Sequence, residues 1–433
     1  MNRKKVLSIV LAIILLSGCA NSGMVSESVS VNMIDVGELS PSAESAETIS
    51  EEIPETSAPS EEPSVEAESA ETERIALHEP NREEFTARLH KVYADYDITG
   101  MSVALFCNGE IIHTENIGYA DTDTKALCTD NTRYRTASVS KLVSTMALMT
   151  LCDEGKLDPY SPLTEVTGIQ YDGKNAEEIK LWHLLTHTSG IFDSLAYNEA
   201  VHEKYDVDYI LSVSHSANEP GAGYWYTNFG AGTMGAIVER LTGEFFHDYA
   251  DRVLFEPLGM DAGYVIDLID DKQSCATLYD HDGDEYHVST WGRTGYYYES
   301  FGLGNSYMTA QCELIITASD LARLGIALSG DGTVDGKTVL SESSVEAIHK
   351  PYFSAPDFDM GLNVRIYDDL IEGRTMYGHP GNALGAITGL YYDRTDGTGV
   401  VFLSNHCKMA TDENGVYKAI KDTLEAAYEC YLR

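Results

Sequence analysis

The sequence predicts a mixed α/β fold of the α+β type, with one antiparallel sheet built from both chain ends, flanking helices and an inserted, mainly helical lobe. Three observations predict this fold. A helix pattern and a strand hairpin lie close together between residues 81 and 114. Helical patterns dominate from residue 151 to about residue 320. Short strand patterns return after residue 376, and a helix pattern over 416–432 follows them.

The early elements have clear local signals. Asn81 with Glu84 is typical of a helix N-terminus, and apolar residues follow at helical spacing. Two apolar runs, 101–107 and 110–114, then flank an Asn-Gly pair. Asn-Gly favours the tight turn that joins two antiparallel strands, so we expect a helix followed by a hairpin.

The next helix carries a possible nucleophile. Leu142, Met146 and Met149 recur at helical spacing, with Ser138 in the first turn and Lys141 three residues further on the same face. Serine needs a neighbouring base, and a lysine whose charge is disfavoured by burial can serve. The helix N-terminus also favours an oxyanion nearby. The alternative is that Ser138 caps a core helix and Lys141 lies along its side.

A second polar motif lies in the lobe. Tyr226 and Asn228 stand in a glycine-punctuated, aromatic loop that leads into a helix pattern over 231–241. A tyrosine hydroxyl beside an ammonium loses its proton more easily and can act as base or acid. If the segment is extended, Asn228 points the same way and can hold a substrate carbonyl. The alternative is that Tyr226 is a packed loop aromatic.

A third motif, His379-Pro380-Gly381-Asn382, opens the late strand block. The strand patterns of this block cover 376–381, 386–392 and 399–404. A polar residue followed by glycine on an edge strand lets a substrate backbone approach closely at Gly381. The alternative is an ordinary turn at the end of a strand.

The first 19 residues predict an export signal. Basic residues at positions 3–5 precede an apolar run over 6–16, which is too short to span a bilayer. The run ends in Leu-Ser-Gly-Cys19, which resembles a bacterial lipobox. The resemblance implies that Cys19 carries a lipid and anchors the exported protein to the outer face of the cell membrane. The alternative is an ordinary cleaved signal with an incidental cysteine.

Residues 20–79 form a different kind of segment, rich in Ser, Glu, Ala, Pro and Thr, with no aromatic residue. Such a composition buries too little apolar surface to offset its ordering entropy, so we expect a disordered acidic linker. An acidic interaction tail is the alternative. The folded domain is then predicted at 80–433.

The charge excludes one class of partner. The chain holds 69 acidic and 29 basic residues, a formal net charge of −40. This field repels phosphate backbones, so we expect no nucleic-acid partner. Seven cysteines remain after Cys19, with no Cys-x-x-Cys pair, and we expect buried, inert thiols.

The sequence predicts no metal and no cofactor. His183 and His187 are spaced as helix neighbours, but no Glu lies between them as in metalloproteases. The acidic segment 280–285 resembles a calcium loop, yet it has Glu285 where glycine is needed and Trp291 where glutamate is needed. We therefore expect a solvated turn there. No phosphate-binding or dinucleotide motif is present.

The three polar motifs together resemble a known superfamily. Ser-x-x-Lys at 138–141, Tyr-x-Asn at 226–228 and His-x-Gly at 379–381, in this order, resemble the serine β-lactamases and penicillin-binding proteins. The middle motif resembles the branch of class C β-lactamases, DD-carboxypeptidases and related esterases. Linking segments at 181–191, 255–260 and 319–323 are also similar to that branch. The likeness covers about 80–433 and implies a β-lactamase/transpeptidase-like fold.

The resemblance implies roles for the polar residues. Ser138 attacks an acyl carbon and becomes an acyl-enzyme, while Lys141 and Tyr226 share the proton transfers. Which of these two is the base stays open. Asn228 contacts the substrate amide, and the backbone N–H groups of Ser138 and Asn382 form the oxyanion hole.

Three places in the sequence depart from the family pattern. His379 replaces the more common lysine and is expected to support Tyr226 or the substrate's negative end. Pro380 stands where the family has Thr or Ser, so a hydroxyl that helps to bind the substrate carboxylate is missing. Residues 310–314 replace a Gly-Gly pair, so we expect a different cleft wall there.

These observations lead to a functional prediction. We expect a membrane-tethered extracellular serine hydrolase that forms an acyl-enzyme on Ser138 with peptide, amide or ester substrates related to cell-wall peptides. DD-peptidase-like, β-lactamase and esterase activities are open, in that order. The alternative from another class is a non-catalytic relative that binds wall peptide or a protein partner. The sequence indicates no oligomeric state.

Overall fold

An antiparallel sheet lies at the centre of the fold in a computed structural model, which describes residues 79–168, 175–200, 203–282, 285–289 and 302–432. The predicted signal peptide with Cys19 lies outside these residues, as does the predicted linker up to residue 78. Both stay predictions, and so does the domain boundary at residue 80.

The strands of the described part, in chain order, are β1 Gly100–Cys107, β2 Glu110–Asp121, β3 Ala126–Leu127, β4 Arg133–Arg135, β5 Leu278–Asp282, β6 Glu285–Ser289, β7 Ile315–Thr317, β8 Thr333–Val334, β9 Lys337–Thr338, β10 Phe353–Ser354, β11 Asp359–Met360, β12 Arg365–Ile371, β13 Arg374–Ala383, β14 Ala386–Asp393 and β15 Thr398–Ser404. Nine of them form the central sheet, in the spatial order β10-β11-β12-β13-β14-β15-β1-β2-β3. Three two-stranded ladders, β4-β7, β5-β6 and β8-β9, lie outside it.

The α-helices of the same residues are α1 Arg82–Asp95, α2 Val139–Asp153, α3 Leu163–Thr167, α4 Leu181–Leu185, α5 Leu195–Glu199, α6 Val207–Val213, α7 Asn228–Thr242, α8 Phe246–Ala250, α9 Glu256–Leu258, α10 Thr309–Cys312, α11 Ala318–Ser329, α12 Glu342–His349 and α13 Lys418–Cys430. A π-helical turn, Asp251–Phe255, joins α8 to α9. Within the described ranges, no helix has the length and apolar character needed to cross a bilayer.

The sheet joins the two ends of the folded part. β1 pairs with β2 on one side and with β15 on the other, where Met101 lies opposite Ser404. Helix α1 begins as the sequence predicts, because the Asn81 side chain accepts the Glu84 N–H at 3.2 Å. The predicted fold class is therefore confirmed, including the sheet built from both ends and the helical lobe between them.

Both faces of the sheet are covered, so β1 is buried along its whole length. Ala104 and Phe106 point into a core shared with α2 and α11 of the lobe. Met101, Val103 and Leu105 point into a second core, shared with the terminal helices α1 and α13. The alternation follows from the two-residue period of a strand.

A short ladder fixes the segment that precedes Ser138. Strands β4 and β7 pair with Tyr134 opposite Ile316, and the Thr136 N–H donates to the Leu314 carbonyl at 2.8 Å. Because β4 leads into Ser138 and β7 follows α10, the ladder holds the start of α2 beside α10.

Some elements were not predicted. Strand β12 was not predicted, because Asp368 and Asp369 interrupt its apolar residues. These two residues lie at an irregularity in the pairing with β13, and Asp369 has a φ of 62°. Of the acidic segment at 280–285, expected as a solvated turn, residues 280–282 and 285 lie in the paired strands β5 and β6, and residues 283–284 lie outside the described residues. Helix α12 was also not predicted.

Candidate active site

Ser138 lies at a corner between β4 and α2. It is the residue before the first turn of α2, and its hydroxyl makes no capping hydrogen bond to that turn. Ala137, directly before it, has a φ of 49°, a left-handed backbone conformation that residues other than glycine rarely adopt. The corner directs the Ser138 hydroxyl toward other partners, so the capping alternative does not describe this residue.

The Lys141 ammonium group is one of these partners. Its Nζ lies 3.1 Å from Ser138 Oγ, 2.9 Å from Asn228 Oδ1 and 3.0 Å from the Gln311 carbonyl oxygen. The side chain is fully buried. Three acceptors match the three N–H donors of a protonated lysine.

Tyr226 approaches Ser138 from the lobe. Its hydroxyl lies 2.8 Å from Ser138 Oγ, and Lys141 Nζ lies 5.1 Å from the centre of its ring. The structure therefore brings the Lys141 amine and the Tyr226 phenol within hydrogen-bond reach of the Ser138 hydroxyl, as the sequence predicts. In the alternative, Tyr226 would only pack within its loop, and this geometry does not fit that.

Asn228 is held at the start of α7 with both ends of its amide engaged. Its Oδ1 accepts from Lys141, and its Nδ2 lies 3.4 Å from Asp193 Oδ2. Asp193 also accepts the backbone N–H groups of Asn228 and Phe229 at 3.1 and 2.9 Å, and the Thr227 hydroxyl at 2.6 Å. In this orientation the amide oxygen of Asn228 accepts a hydrogen bond from Lys141, whereas the sequence predicts that Asn228 contacts the substrate.

Asp193 and Gln311 were not predicted to take part in the site. Asp193 caps a helix that begins more than thirty residues later in the chain, so no local spacing signals it. Gln311 contributes its backbone carbonyl, which every residue type carries. It lies in the segment 310–314, which replaces a Gly-Gly pair of the family pattern. This replacement is the sequence feature that could have indicated its involvement.

Gly381 brings β13 against the Ser138 corner. A Cβ atom on Gly381 would lie 2.4 Å from the Thr136 carbonyl oxygen and 2.1 Å from Thr388 Oγ1. The Thr388 hydroxyl in turn donates to the Thr136 carbonyl at 2.6 Å. The close approach predicted at Gly381 is thus made by the chain's own backbone, next to Ala137.

The C-terminal part of β13, residues 379–383, extends past the start of β12. β12 begins at Arg365, opposite Gly378, and among the described strands residues 379–383 pair with β14 alone. Pro380, which lacks an N–H, lies in this stretch. Asn382 follows with its side-chain amide 3.2 Å from Met409 Sδ, and the oxyanion role of its backbone N–H stays a prediction.

His379 is fully enclosed behind the site. Burial lowers its pKa well below the usual value, and the positive charges of Arg365 and Lys141 lower it further. Its ring lies 6.3 Å from that of Tyr226, and within the described residues its Nε2 has no hydrogen-bond partner. A neutral imidazole offers a hydrogen bond but not the charge of the more common lysine.

The two histidines of the 181–191 segment bind backbone groups. His183 Nδ1 accepts the Lys180 N–H at 2.9 Å, and His187 Nδ1 accepts the Thr227 N–H at 3.3 Å. In the part of the chain that the structure describes, no group of three or more His, Cys, Asp or Glu side chains is placed to hold a metal ion.

A nine-stranded antiparallel sheet, a helical lobe and a Ser-Lys-Tyr cluster at their junction define the β-lactamase-like serine hydrolases as a class. The model of the Beta-lactamase family matches residues 82–425, and the chain belongs to this family. A curated relative, Protein flp from Staphylococcus aureus, is 28% identical over 170 residues, which are 38% of this chain and 34% of flp. The chain therefore matches about a third of the length of that relative.

Two solved structures share the fold. The octameric penicillin-binding protein homologue from Pyrococcus abyssi superposes with a TM-score of 0.64 at 20% identity, covering 81% of this chain and 77% of that one. A D-amino acid amidase from Ochrobactrum anthropi SV3 gives a TM-score of 0.63 at 24% identity, covering 80% and 98%. At these identities the likeness concerns the fold alone.

Proposed function

We propose that this protein is an exported, lipid-anchored serine hydrolase that forms an acyl-enzyme on Ser138. The observation that carries the proposal is that Ser138 Oγ lies 3.1 Å from Lys141 Nζ and 2.8 Å from Tyr226 Oη. A serine with an amine and a phenol at these distances can pass its proton on as it attacks.

Tyr226 is the base in this proposal. The three acceptors around Lys141 Nζ support an ammonium, which has no lone pair to accept a proton. An ammonium beside the phenol favours its phenolate form. Ser138 Oγ then bonds to the acyl carbon while its proton moves to Tyr226 Oη. That proton passes to the leaving amine or alcohol as the bond between this group and the acyl carbon breaks. Water then attacks the acyl carbon and gives a proton to Tyr226 Oη. The bond to Ser138 Oγ breaks as this oxygen takes that proton, and the acid is released.

The proposed substrates are peptides, amides or esters related to cell-wall peptides. The names of the structural neighbours, a penicillin-binding protein homologue and a D-amino acid amidase, support acyl donors of this kind. Pro380 and the neutral His379 weaken recognition of a substrate carboxylate, because one brings no hydroxyl and the other no charge. We therefore place esters and amides without a carboxylate beside the DD-peptidase and β-lactamase substrates.

The mass of the intact protein after incubation with benzylpenicillin, and separately with p-nitrophenyl acetate, tests the Ser138 mechanism. We expect an adduct or turnover with at least one probe, and neither with Ser138→Ala. A penicillin adduct points to wall peptides, penicillin hydrolysis to a β-lactamase, and reaction with the acetate alone to an esterase. Equal reaction of the parent and Ser138→Ala would remove the mechanism and favour the non-catalytic alternative.

The lipid anchor on Cys19 is a separate proposal that rests on the sequence alone. Metabolic labelling with a radioactive fatty acid should mark the parent protein and not Cys19→Ser. The parent should also sediment with membranes. Labelling of the Cys19→Ser protein to the same extent would contradict the anchor.

A further inference from the structure

The loop that carries Tyr226 has no regular secondary structure, since residues 223–227 lie between a turn and the start of α7. A phenol that must meet Ser138 Oγ at 2.8 Å therefore depends on contacts from elsewhere in the chain. His187 makes more of the contacts described for this loop than any other residue, and the acyl-enzyme mechanism above does not use it.

His187 binds the backbone on both sides of Tyr226. Its carbonyl oxygen accepts the Trp225 N–H at 2.8 Å, and its imidazole Nδ1 accepts the Thr227 N–H at 3.3 Å. One residue thus receives the amide hydrogens that precede and follow the tyrosine. This fixes the peptide units from which the phenol projects.

The same imidazole supports the phenol ring. The ring centres of His187 and Tyr226 lie 4.3 Å apart with 34° between their planes, and the ring of Tyr224 packs edge-on against His187 at 5.8 Å. His187 has a φ of 57°, and its side chain is almost fully buried. The left-handed backbone lets one residue present its carbonyl and its ring to the same loop.

We propose that His187 is a positioning residue that holds Tyr226 against Ser138 by bonding to the two flanking amides and packing on the phenol ring. This proposal rests on the proposed acyl-enzyme function. It assigns His187 no contact with substrate.

The protonation state of His187 fits this role. Nδ1 must carry a lone pair to accept the Thr227 N–H, so the proton of a neutral ring resides on Nε2. Burial and the nearby positive charges of Lys141 and Arg365 lower the pKa of His187 well below its usual value. The acceptor is therefore preserved throughout the neutral range.

Two substitutions separate the parts of the contact. Asn tolerates a positive φ and can place Oδ1 where His187 has Nδ1, whereas Phe keeps a ring but has no acceptor. His183→Phe is a matched control, because His183 is also buried and also accepts a backbone N–H, yet it packs on Trp182 away from Ser138.

Amide hydrogen exchange of residues 225–227 in the full chain tests the contact without any substrate. We expect exchange at Thr227 to rise about tenfold or more in His187→Phe and to stay near the parental rate in His187→Asn and His183→Phe. Unchanged exchange at Thr227 in His187→Phe would overturn the proposal, whatever the activity of the protein.

Steady-state kinetics with p-nitrophenyl acetate tests the consequence. We expect kcat to fall by up to about 100-fold in His187→Phe with KM nearly unchanged, and to recover largely in His187→Asn. Parental kcat in a His187→Phe protein with raised Thr227 exchange would overturn the positioning role. Failure of the acyl-enzyme function itself has a different signature, in which the parent reacts no faster than Ser138→Ala.

Discussion

Lys141 has a geometric task as well as a chemical one. Its Nζ, which projects from α2, contacts Ser138 just before α2, Asn228 on α7 and the Gln311 carbonyl of α10, so three helices meet at one ammonium group. A buried cation is tolerated only when its donors are satisfied, and here all three have acceptors. The Tyr226 hydroxyl is not one of these three acceptors. Its removal should therefore change the proposed proton transfer and leave the contacts of Lys141 with the three helices in place.

Replacing Tyr226 with Phe should isolate that chemistry. We expect the acylation rate to fall by about 10²- to 10⁴-fold, because the change removes one proton-transferring hydroxyl and keeps the ring on His187. The rate is measured from the first turnover with p-nitrophenyl acetate. Tyr209→Phe, an exposed tyrosine of α6, is the control and should acylate normally. Normal acylation in Tyr226→Phe would contradict its assigned role.

Gly381→Ala tests the fit of β13 against the Ser138 corner. A Cβ at this position meets backbone oxygen at 2.4 Å, so the strand or the corner must shift, at a cost of about 1–3 kcal/mol in the free energy of unfolding. The shift should also lower the acylation rate. Gly263→Ala is the control, because its Cβ would have 3.7 Å to the nearest atom. A free energy of unfolding equal to that of the parent in Gly381→Ala would contradict the prediction, because it would show that the strand or the Ser138 corner can shift without cost.

At this scale the sequence identified the residues whose side chains the proposed mechanism uses. Ser138, Lys141 and Tyr226 were predicted to meet, and they do. The supporting residues were not predicted in those roles: His187 was weighed as a metal ligand and rejected, and Asp193 was not considered. Their contacts depend on a backbone carbonyl, a left-handed φ and a helix cap far along the chain, and none of these leaves a spacing pattern.

At the scale of elements, the start of α7 is the point where structure and proposed chemistry depend on the same contact. Helix N-termini expose unpaired N–H groups, and Asp193 accepts two of them from outside the helix. The same carboxylate faces the amide of Asn228, whose other end holds Lys141. The Asp193 carboxylate therefore both caps α7 and orients the Asn228 side chain that contacts Lys141.

Asp193→Ala should accordingly cost both stability and activity. We expect the free energy of unfolding to fall by about 1–2 kcal/mol, the usual value of a lost cap, and the acylation rate to fall as Asn228 loses its orientation. Asp206→Ala provides the comparison, since Asp206 caps α6 by accepting the Tyr209 N–H at 2.8 Å and is exposed. Urea unfolding and burst kinetics should show a similar loss of stability in both variants, with activity lost only in Asp193→Ala. Loss of activity in both variants would show that activity falls because of the lower stability alone and not because Asn228 is misoriented.

Elements with strong local signals were predicted close to their observed bounds. The late strands, predicted at 376–381, 386–392 and 399–404, lie at 374–383, 386–393 and 398–404. β12 was missed because acidic residues at its irregular end break the alternation. Pairing with β13 and β11 defines that strand, and its own sequence pattern does not.

For the whole molecule, buried histidines make stability depend on pH. Burial lowers the pKa of His183 to about 4 and that of His349 to about 3, and it lowers the pKa values of His187 and His379 as well. Below the unfolded value of about 6.5, the unfolded chain binds protons that the folded chain does not. Stability is therefore full above that pH and declines as the pH falls toward 4.

Each such histidine should contribute a slope of about 1.4 kcal/mol per pH unit in this window. Urea unfolding between about pH 7 and pH 5 measures the total. In His349→Gln the slope should decrease by the share of one histidine, although the variant also loses the bond between His349 and Tyr392. Equal slopes in the two proteins would contradict the assignment.

Of the seven cysteines expected to be buried, Cys107, Cys128, Cys407 and Cys430 are buried, whereas Cys152, Cys275 and Cys312 are partly exposed. Burial raises the pKa of Cys107 to about 11 and that of Cys407 to about 12, so neither is a thiolate at neutral pH. The structure contains no disulfide at Cys107, Cys128, Cys407 or Cys430. Stability therefore depends on the two cores and not on cross-links at these positions.

The pairing of β1 with β15 has a consequence for how the chain acquires its structure. β1 leaves the ribosome among the first strands, yet one of its two neighbours in the sheet is the last strand of the folded part, with Met101 opposite Ser404. Contacts this distant in sequence form slowly, so the sheet stays open until nearly all of the polypeptide is available. A chain that crosses a membrane end to end, unfolded, would thus complete its fold only after β15 has emerged on the far side. Truncation before β15 should leave even a correctly formed N-terminal hairpin without a stable core.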